Sequence, residues 1–283
     1  MSYNEWIGKS ENRSESMAPE QLQRFEAMLN RDPHSISKNS ELSPCSHWSY
    51  FTPLDLHSNI AVDGHAMKGD FLPPVDLPKR FWAGGKILFK KPLLTEIPAE
   101  KKSTITAIDE KEGSSGKLCF VTIRHQISAK GSVAIDEEQQ IVYREESEKG
   151  AHPIRTHPLD IDPDWKKMTK PDSVLLFRFS ALTFNSHRIH FDQDYVRNVE
   201  GYPNLVVHGP LLLVLMLDAF KNKHDGKVIE NVEYKAVGPI YLDEQITICG
   251  KSVDNHRVEL RAAGSDGNIA MKATVNWTYS WNK

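Results

Sequence analysis

Hydrophobic and polar positions recur with two different periods along this chain. Between Pro19 and Leu29, Leu22, Phe25 and Leu29 fall at helical spacing, with Pro19 and Glu20 suited to a first turn. The pattern predicts a helix, ended by Asp32-Pro33. From Ser58 to Pro78 no period is visible; Asp63-Gly64-His65, Gly69-Asp70 and Pro73-Pro74 predict a loop. Period two then takes over, and Arg80 to Leu88, Ser103 to Asp109, Leu118 to Ile127 and Ser132 to Tyr143 predict strands. Ala151 to Lys170, with His, Pro and Asp spread through it, predicts a linker.

The second half opens with Val174 to Phe179, which predicts a strand, followed by a polar loop from Ser180 to Arg188. Asp194 to Val199 predicts a short helix that ends near Gly201. Leu211 to Phe220 is apolar nearly all round, apart from Asp218, and Pro210 suits its first turn. A helix hydrophobic on every side belongs in a core. Val228 to Ala236, Gln245 to Val253, Arg257 to Ala263 and Ile269 to Trp281 then predict strands, separated by turn formers such as Asp254-Asn255 and Ser265-Asp266-Gly267. One buried helix with an antiparallel sheet around it is the hot-dog arrangement, and the first half repeats the order loosely.

The chain has 283 residues. At roughly 100–200 residues per domain, that suggests two domains. A net charge of −3, from 35 Lys+Arg against 38 Asp+Glu, argues against a nucleic-acid surface, which needs clustered positive charge. Cys45, Cys119 and Cys249 are widely separated and form no Cys-x-x-Cys, so neither a disulfide framework nor a zinc site is expected. Cys119 and Cys249 lie in strand-like runs and read as small buried hydrophobes. No run is long and apolar enough for a membrane span. Met1 to Asn12 lacks the features of a signal or transit peptide, which makes the cytoplasm the expected location.

The stretch that carries chemistry is Phe179-Ser180-Ala181-Leu182-Thr183-Phe184-Asn185-Ser186-His187-Arg188-Ile189-His190-Phe191-Asp192, followed by His208-Gly209-Pro210 at the start of the apolar helix. With twelve histidines in the chain, a single one signals nothing; the combination does. Hydration of an α,β-unsaturated thioester needs a group to deprotonate water, control of the proton at Cα, and polarisation of the carbonyl as enolate charge develops. A histidine with a polar partner five residues earlier suits the first two tasks. Backbone N–H groups at a helix start suit the third.

These residues resemble the signature of the MaoC-like, or type 2, enoyl-CoA hydratases: Ser-Gly-Asp-x-Asn-Pro-hydrophobic-His-x-Asp, a Gly-Phe turn, and an x-His-Gly helix start. His190 matches the signature histidine and Asp192 the later acid. Gly201-Tyr202 matches the turn, and His208-Gly209 the helix start, whose glycine N–H is the family's oxyanion donor. Asn185 replaces the signature Asp, and His187-Arg188 its Asn-Pro. These departures, with Gly201-Tyr202-Pro203 and Leu77-Pro78-Lys79-Arg80-Phe81-Trp82-Ala83-Gly84-Gly85, resemble the mesaconyl-C4-CoA and itaconyl-CoA hydratases and the fungal mitochondrial 3-hydroxyacyl-thioester dehydratases.

The resemblance implies an α+β tandem (double) hot-dog fold, with antiparallel sheets each wrapped around a central helix. Residues 1–160 would be a non-catalytic hot-dog domain with a linker, and 161–283 the catalytic one. It implies His190 as base and acid, and Gly209 as oxyanion donor. Asn185 becomes the water-holder, because an amide orients water but cannot take its proton. Asp192 either orients His190 or caps the next helix. Arg188 either meets a substrate carboxylate or a CoA phosphate, or pairs with a nearby acid; His187 is the next candidate base. His208 is expected to contact substrate. Asp63, His65 and Asp70 read either as a solvated loop or, with Arg80, as a cover and binding surface for the thioester. Trp82 and Gly84-Gly85 read as packing and a bulge.

The substrate expected is a short, dicarboxylic enoyl-CoA, with no metal and no cofactor beyond that thioester. The partners expected are acyl-CoA and a second copy of the chain, without nucleic acid or membrane; a fungal-type enzyme would sit in the mitochondrial matrix. Two other readings stay open: a 3-hydroxyacyl-thioester dehydratase of fatty-acid synthesis, and a catalytically degenerate acyl-CoA-binding protein.

Overall fold

The computed structural model describes residues 3–113, 116–145 and 155–281. Its first part holds β1 (Ser10–Ser16), α1 (Pro19–Met28), β2 (Lys79–Phe89), β3 (Pro98–Gly113), β4 (Gly116–Ala129) and β5 (Ser132–Arg144). Its second holds β6 (Trp165–Thr169), α2 (Ser173–Thr183), α3 (Gln193–Asn198), α4 (Gly209–Lys223), β7 (Val228–Ala236), β8 (Ile246–Asp254), β9 (Arg257–Ala263) and β10 (Ile269–Thr278).

The architecture is α+β and of hot-dog type, with one departure from expectation. The ten strands make a single continuous sheet, ordered β1-β3-β4-β5-β2-β7-β10-β9-β8-β6, and not two sheets each around a helix. Alternation along a strand shows which face is buried but not which strand lies beside it. The seam is the antiparallel pairing of β2 with β7, from Gly84 opposite Lys235 to Leu88 opposite Asn231. Glycine makes that seam possible. A Cβ on Gly85 would lie 2.1 Å from the Glu138 carbonyl oxygen and 2.5 Å from the Tyr234 hydroxyl. The expected bulge is present between Trp82 and Gly84, and Trp82 stacks on Tyr234 at 4.5 Å.

The core crosses the seam. Leu22, Phe25 and Met28 of α1 belong to the same buried cluster as Leu211 to Leu213 of α4 and the inward residues of β7 to β10. The predicted apolar helix is found as α4, and its one buried charge, Asp218, is satisfied. It pairs with Arg31 at 2.7 Å and Lys167 at 2.9 Å, and accepts from Asn222 at 3.0 Å. Those bonds tie the segment after α1, and strand β6, to the helix.

Two local expectations fail. Val174 to Phe179 is helical, within α2, and Ser180 to Thr183 continues that helix where a loop was expected. The Asp172 side chain caps it, accepting from the Leu175 N–H at 2.8 Å. Its buried residues Leu176, Phe179 and Leu182 follow helical spacing, but Val174 and Phe177 are exposed. Those exposed apolar residues fill in the polar face and mask the period. The predicted linker contains strand β6, paired with β8; its residues 151–154 lie outside the described ones. Cys45, Cys119 and Cys249 are free and buried. Among the described residues no helix is long and apolar enough to cross a membrane.

Candidate active site

The chain after α2 turns sharply. Phe184 closes the helix in the left-handed conformation, and the Asn185 side-chain oxygen accepts from the His187 N–H at 3.0 Å. That bond fixes the loop and takes one lone pair of the Asn185 oxygen, leaving its NH₂ to donate. A single 3-10 turn, Arg188–His190, then carries His190 into the interior.

His190 is buried, and its Nδ1–H donates to the Val206 carbonyl at 2.7 Å. This fixes the tautomer and leaves the lone pair on Nε2. Burial pushes its pKa down to about 4, against the pull of the Val206 bond, so the ring is neutral at ordinary pH. His208 stacks on it at 3.6 Å and meets the Ser180 hydroxyl at 2.8 Å. His208 has no exposed surface, and its place is behind His190, packed against that ring. Gly209 is the first residue of α4, and a Cβ there would lie 2.8 Å from the Trp82 ring. Only glycine leaves the start of that helix open beside Trp82.

Two charged residues do other work than expected. Asp192 caps α3, accepting from the Tyr195 N–H at 2.9 Å, and pairs with Arg188 at 2.7 Å. It does not orient His190. Arg188 also donates to the Val62 carbonyl at 3.1 Å and lies over the Tyr195 ring at 4.1 Å. Its guanidinium is thus engaged by Asp192, the Val62 carbonyl and the Tyr195 ring, the pairing with a nearby acid that was one of the two expectations.

A cavity of about 560 Å³ opens against this loop, lined by residues of both parts of the chain. Arg80, Lys79 and Lys68 bring positive charge to it; Phe81, Leu77 and Ile189 supply apolar wall. Lys79 pairs with Glu200 at 2.7 Å, while Arg80 makes no salt bridge among the described residues.

Sequence reasoning left the Asp63 loop undecided, and the structure separates its members. Asp70 is exposed. Asp63 and His65 line the cavity, with Asp63 Oδ2 2.8 Å from His65 Nδ1. Burial pushes the Asp63 carboxyl up, but the hydrogen bond and charge of His65 outweigh it and hold the group below the usual carboxylate range. The His65 ring lies 3.9 Å from that of His187, which is 5.4 Å from His190. Burial lowers the pKa of His65, His187 and His208 alike. Asp63, His65 and His187 bring ligand atoms within 4.8 Å of one another, a spacing that suits a cation. The contact present is the hydrogen bond from His65 to Asp63. No local motif marks the contact of His65 with His187, because the two lie 122 residues apart in the chain.

The profile of the family described as hydroxyacyl-thioester dehydratase type 2 matches residues 45–242. Mesaconyl-C(4)-CoA hydratase of Chloroflexus aurantiacus is 38% identical over 273 residues, covering 95% of this chain and 96% of the relative. The mitochondrial hydroxyacyl-thioester dehydratase type 2 of Schizosaccharomyces pombe is 28% identical, covering 77% and 81%. Among solved structures, a MaoC-like dehydratase superposes with a TM-score of 0.70 at 12% identity, covering 99% of this chain and 100% of that one. The MaoC-like dehydratase of Phytophthora capsici gives 0.67, also at 12%, covering 99% and 100%. Those identities bear on fold alone. The long match to the profile and the 38% relative together show that the chain belongs to the MaoC-like hydroxyacyl-thioester dehydratase type 2 family of hydro-lyases.

Proposed function

We propose that this protein adds water reversibly across the double bond of a short dicarboxylic enoyl-CoA, of the mesaconyl-C4-CoA or itaconyl-CoA kind. The observation that carries the reading is His190: a buried neutral imidazole whose tautomer is fixed with Nε2 as acceptor, close to the glycine start of α4. Nε2 takes the water proton as the oxygen attacks Cβ. The N–H groups at the start of α4 meet the charge that develops on the thioester oxygen. Asn185 holds its loop in register and positions the water through its amide end.

The dicarboxylic preference rests on Arg80. A guanidinium lining a partly apolar cavity suits a distal carboxylate, gripped at two points. In this division of labour, residues 161–283 supply His190 and the oxyanion site, and residues 1–160 supply the wall that selects the acyl group. The relative from Schizosaccharomyces pombe favours a second reading, a 3-hydroxyacyl-thioester dehydratase.

The test is loss of enoyl absorbance on incubation with mesaconyl-C4-CoA, itaconyl-CoA and crotonyl-CoA, with product mass as a second readout. Hydration of a dicarboxylic substrate in preference to crotonyl-CoA is expected. Preference for crotonyl-CoA favours the dehydratase reading, and no turnover with any of them favours a binding protein.

A further inference from the structure

Two steps of the hydration move a proton: one leaves water, and one arrives at Cα. His190 suits the first. Asn185 cannot serve the second, because an amide does not titrate. The nearest ionisable groups on the cavity wall are His187 and the His65–Asp63 pair.

Asp63 and His65 are not held there by chance of a loop. The Arg188 N–H donates to the Asp63 carbonyl at 2.9 Å, the Ser186 hydroxyl to the Gly64 carbonyl at 2.6 Å, and the Arg188 guanidinium to the Val62 carbonyl at 3.1 Å. Three successive residues of this loop are thus bonded to the segment that ends in His190. Within it, Asp63 takes the backbone N–H of His65 at 2.9 Å on one oxygen and its Nδ1–H at 2.8 Å on the other. The ring is fixed with Nε2 as acceptor, the same tautomer as His190.

We infer that His65, backed by Asp63, is a second catalytic residue of this site and delivers to Cα the proton that His190 takes from water. The inference rests on the hydration reading given above. Counter-charge supports the choice. Among the described residues, His65 has a carboxylate at hydrogen-bond distance, whereas the rings of His187, His190 and His208 contact none. An imidazolium is therefore best stabilised at His65. His187 stands between the two, with its ring near both.

The step balances with every imidazole neutral at the start. The water O–H breaks toward His190 Nε2 while the O–Cβ bond forms, and the alkene pair moves onto Cα and the thioester oxygen as an enolate. The proton passes from His190 through His187 to His65 Nε2. His65 then gives it to Cα, the enolate pair becomes the C–H bond, and each ring is neutral again. Dehydration runs the same path backwards.

The two roles are separable with a saturated thioester, succinyl-CoA, which has no hydroxyl to lose. In D₂O the wild-type enzyme is expected to exchange the Cα protons of succinyl-CoA, read by mass and NMR. His65→Gln and Asp63→Asn should lower both exchange and hydration by roughly 10²–10⁴-fold, the size of a general-base contribution. His190→Ala should lose hydration by a similar factor yet keep the exchange. Circular dichroism and the melting temperature of each variant check the fold, and Asp63→Asn keeps the loop's shape should His65→Gln lose it. Exchange and hydration within threefold of wild type in both His65→Gln and Asp63→Asn would overturn the inference. So would a wild-type enzyme that hydrates enoyl-CoA but exchanges nothing. A wild type that hydrates none of the enoyl-CoA esters refutes the hydratase reading itself, a separate result.

Discussion

Gly64→Ala tests how the Asp63 loop is docked. Gly64 has φ +90°, and a Cβ there would lie 1.8 Å from the Ser186 carbonyl oxygen and 3.2 Å from the Arg188 nitrogen. A side chain in that backbone region costs roughly 1–2 kcal/mol. Relieving the contact means moving the loop off the segment 186–188, which breaks the bonds from Ser186 to Gly64 and from Arg188 to Asp63. Each is worth roughly 0.5–1.5 kcal/mol. The sum is about 3 kcal/mol against the docked state, or about a hundredfold in the ratio of docked to undocked loop. The strands lie away from this contact, so the fold should survive. The expected result is a hydration rate lower by about 10–100-fold, with a melting temperature within a few degrees of wild type and faster proteolysis in residues 57–70. A rate within twofold of wild type and unchanged proteolysis would refute the docking argument.

Other outcomes follow from the same geometry. His190 is neutral above about 4, so on that limb the hydration rate should hold level from about pH 8 to 5 and fall as pH drops through about 4; a limb centred near 6.5 contradicts the burial argument. Stability should fall with acid as well. Unfolding releases His190 to its ordinary value of 6.5, so its contribution is full above about 6.5 and is lost as pH falls toward 4. A melting temperature that stays flat from pH 7 to 5 would count against a neutral histidine cluster. Arg80→Ala should raise the KM for a dicarboxylic substrate far more than for crotonyl-CoA, while Arg188→Ala should weaken both alike through the loss of Asp192 and Val62 contacts; the reverse pattern would return the carboxylate to Arg188. Asn185→Asp should leave an active enzyme whose acid limb moves up in pH, because a nearby carboxylate favours imidazolium; an unmoved limb would mean that the new carboxylate does not reach His190.

What was legible in the sequence was local. The strands β2, β4, β5 and β7 to β10 follow from period-two runs and turn formers, and α4 from its unbroken apolar surface. Strand β1 escaped because Ser10–Ser16 is wholly polar, and β6 because it is short and lies among prolines and aspartates. The candidate segment could be singled out because Asn185, His190 and His208 lie within a short stretch of the chain. The loop of Asp63 and His65 could be named as a cover but not as an acid–base group, because its nearness to His187 joins residues far apart in the chain. Asp192 could be read as orienting His190 or as a cap, and Arg188 as meeting a substrate anion or a nearby acid. In the structure they take each other.

The ladder between β2 and β7 has a consequence for how this molecule loses its structure. Where two modules are joined by a tether, one can melt while its neighbour stands, and each can be inherited or exchanged as a separate piece. Here the join is backbone hydrogen bonding in the middle of a sheet, roofed by a shared apolar cluster. Pulling the halves apart would lay open Val232 and Tyr234 and leave β7 with an unpaired edge, an invitation to pair with any other strand in solution. The two parts are therefore expected to melt together, in one cooperative transition, and the cavity lined by both would be lost with either.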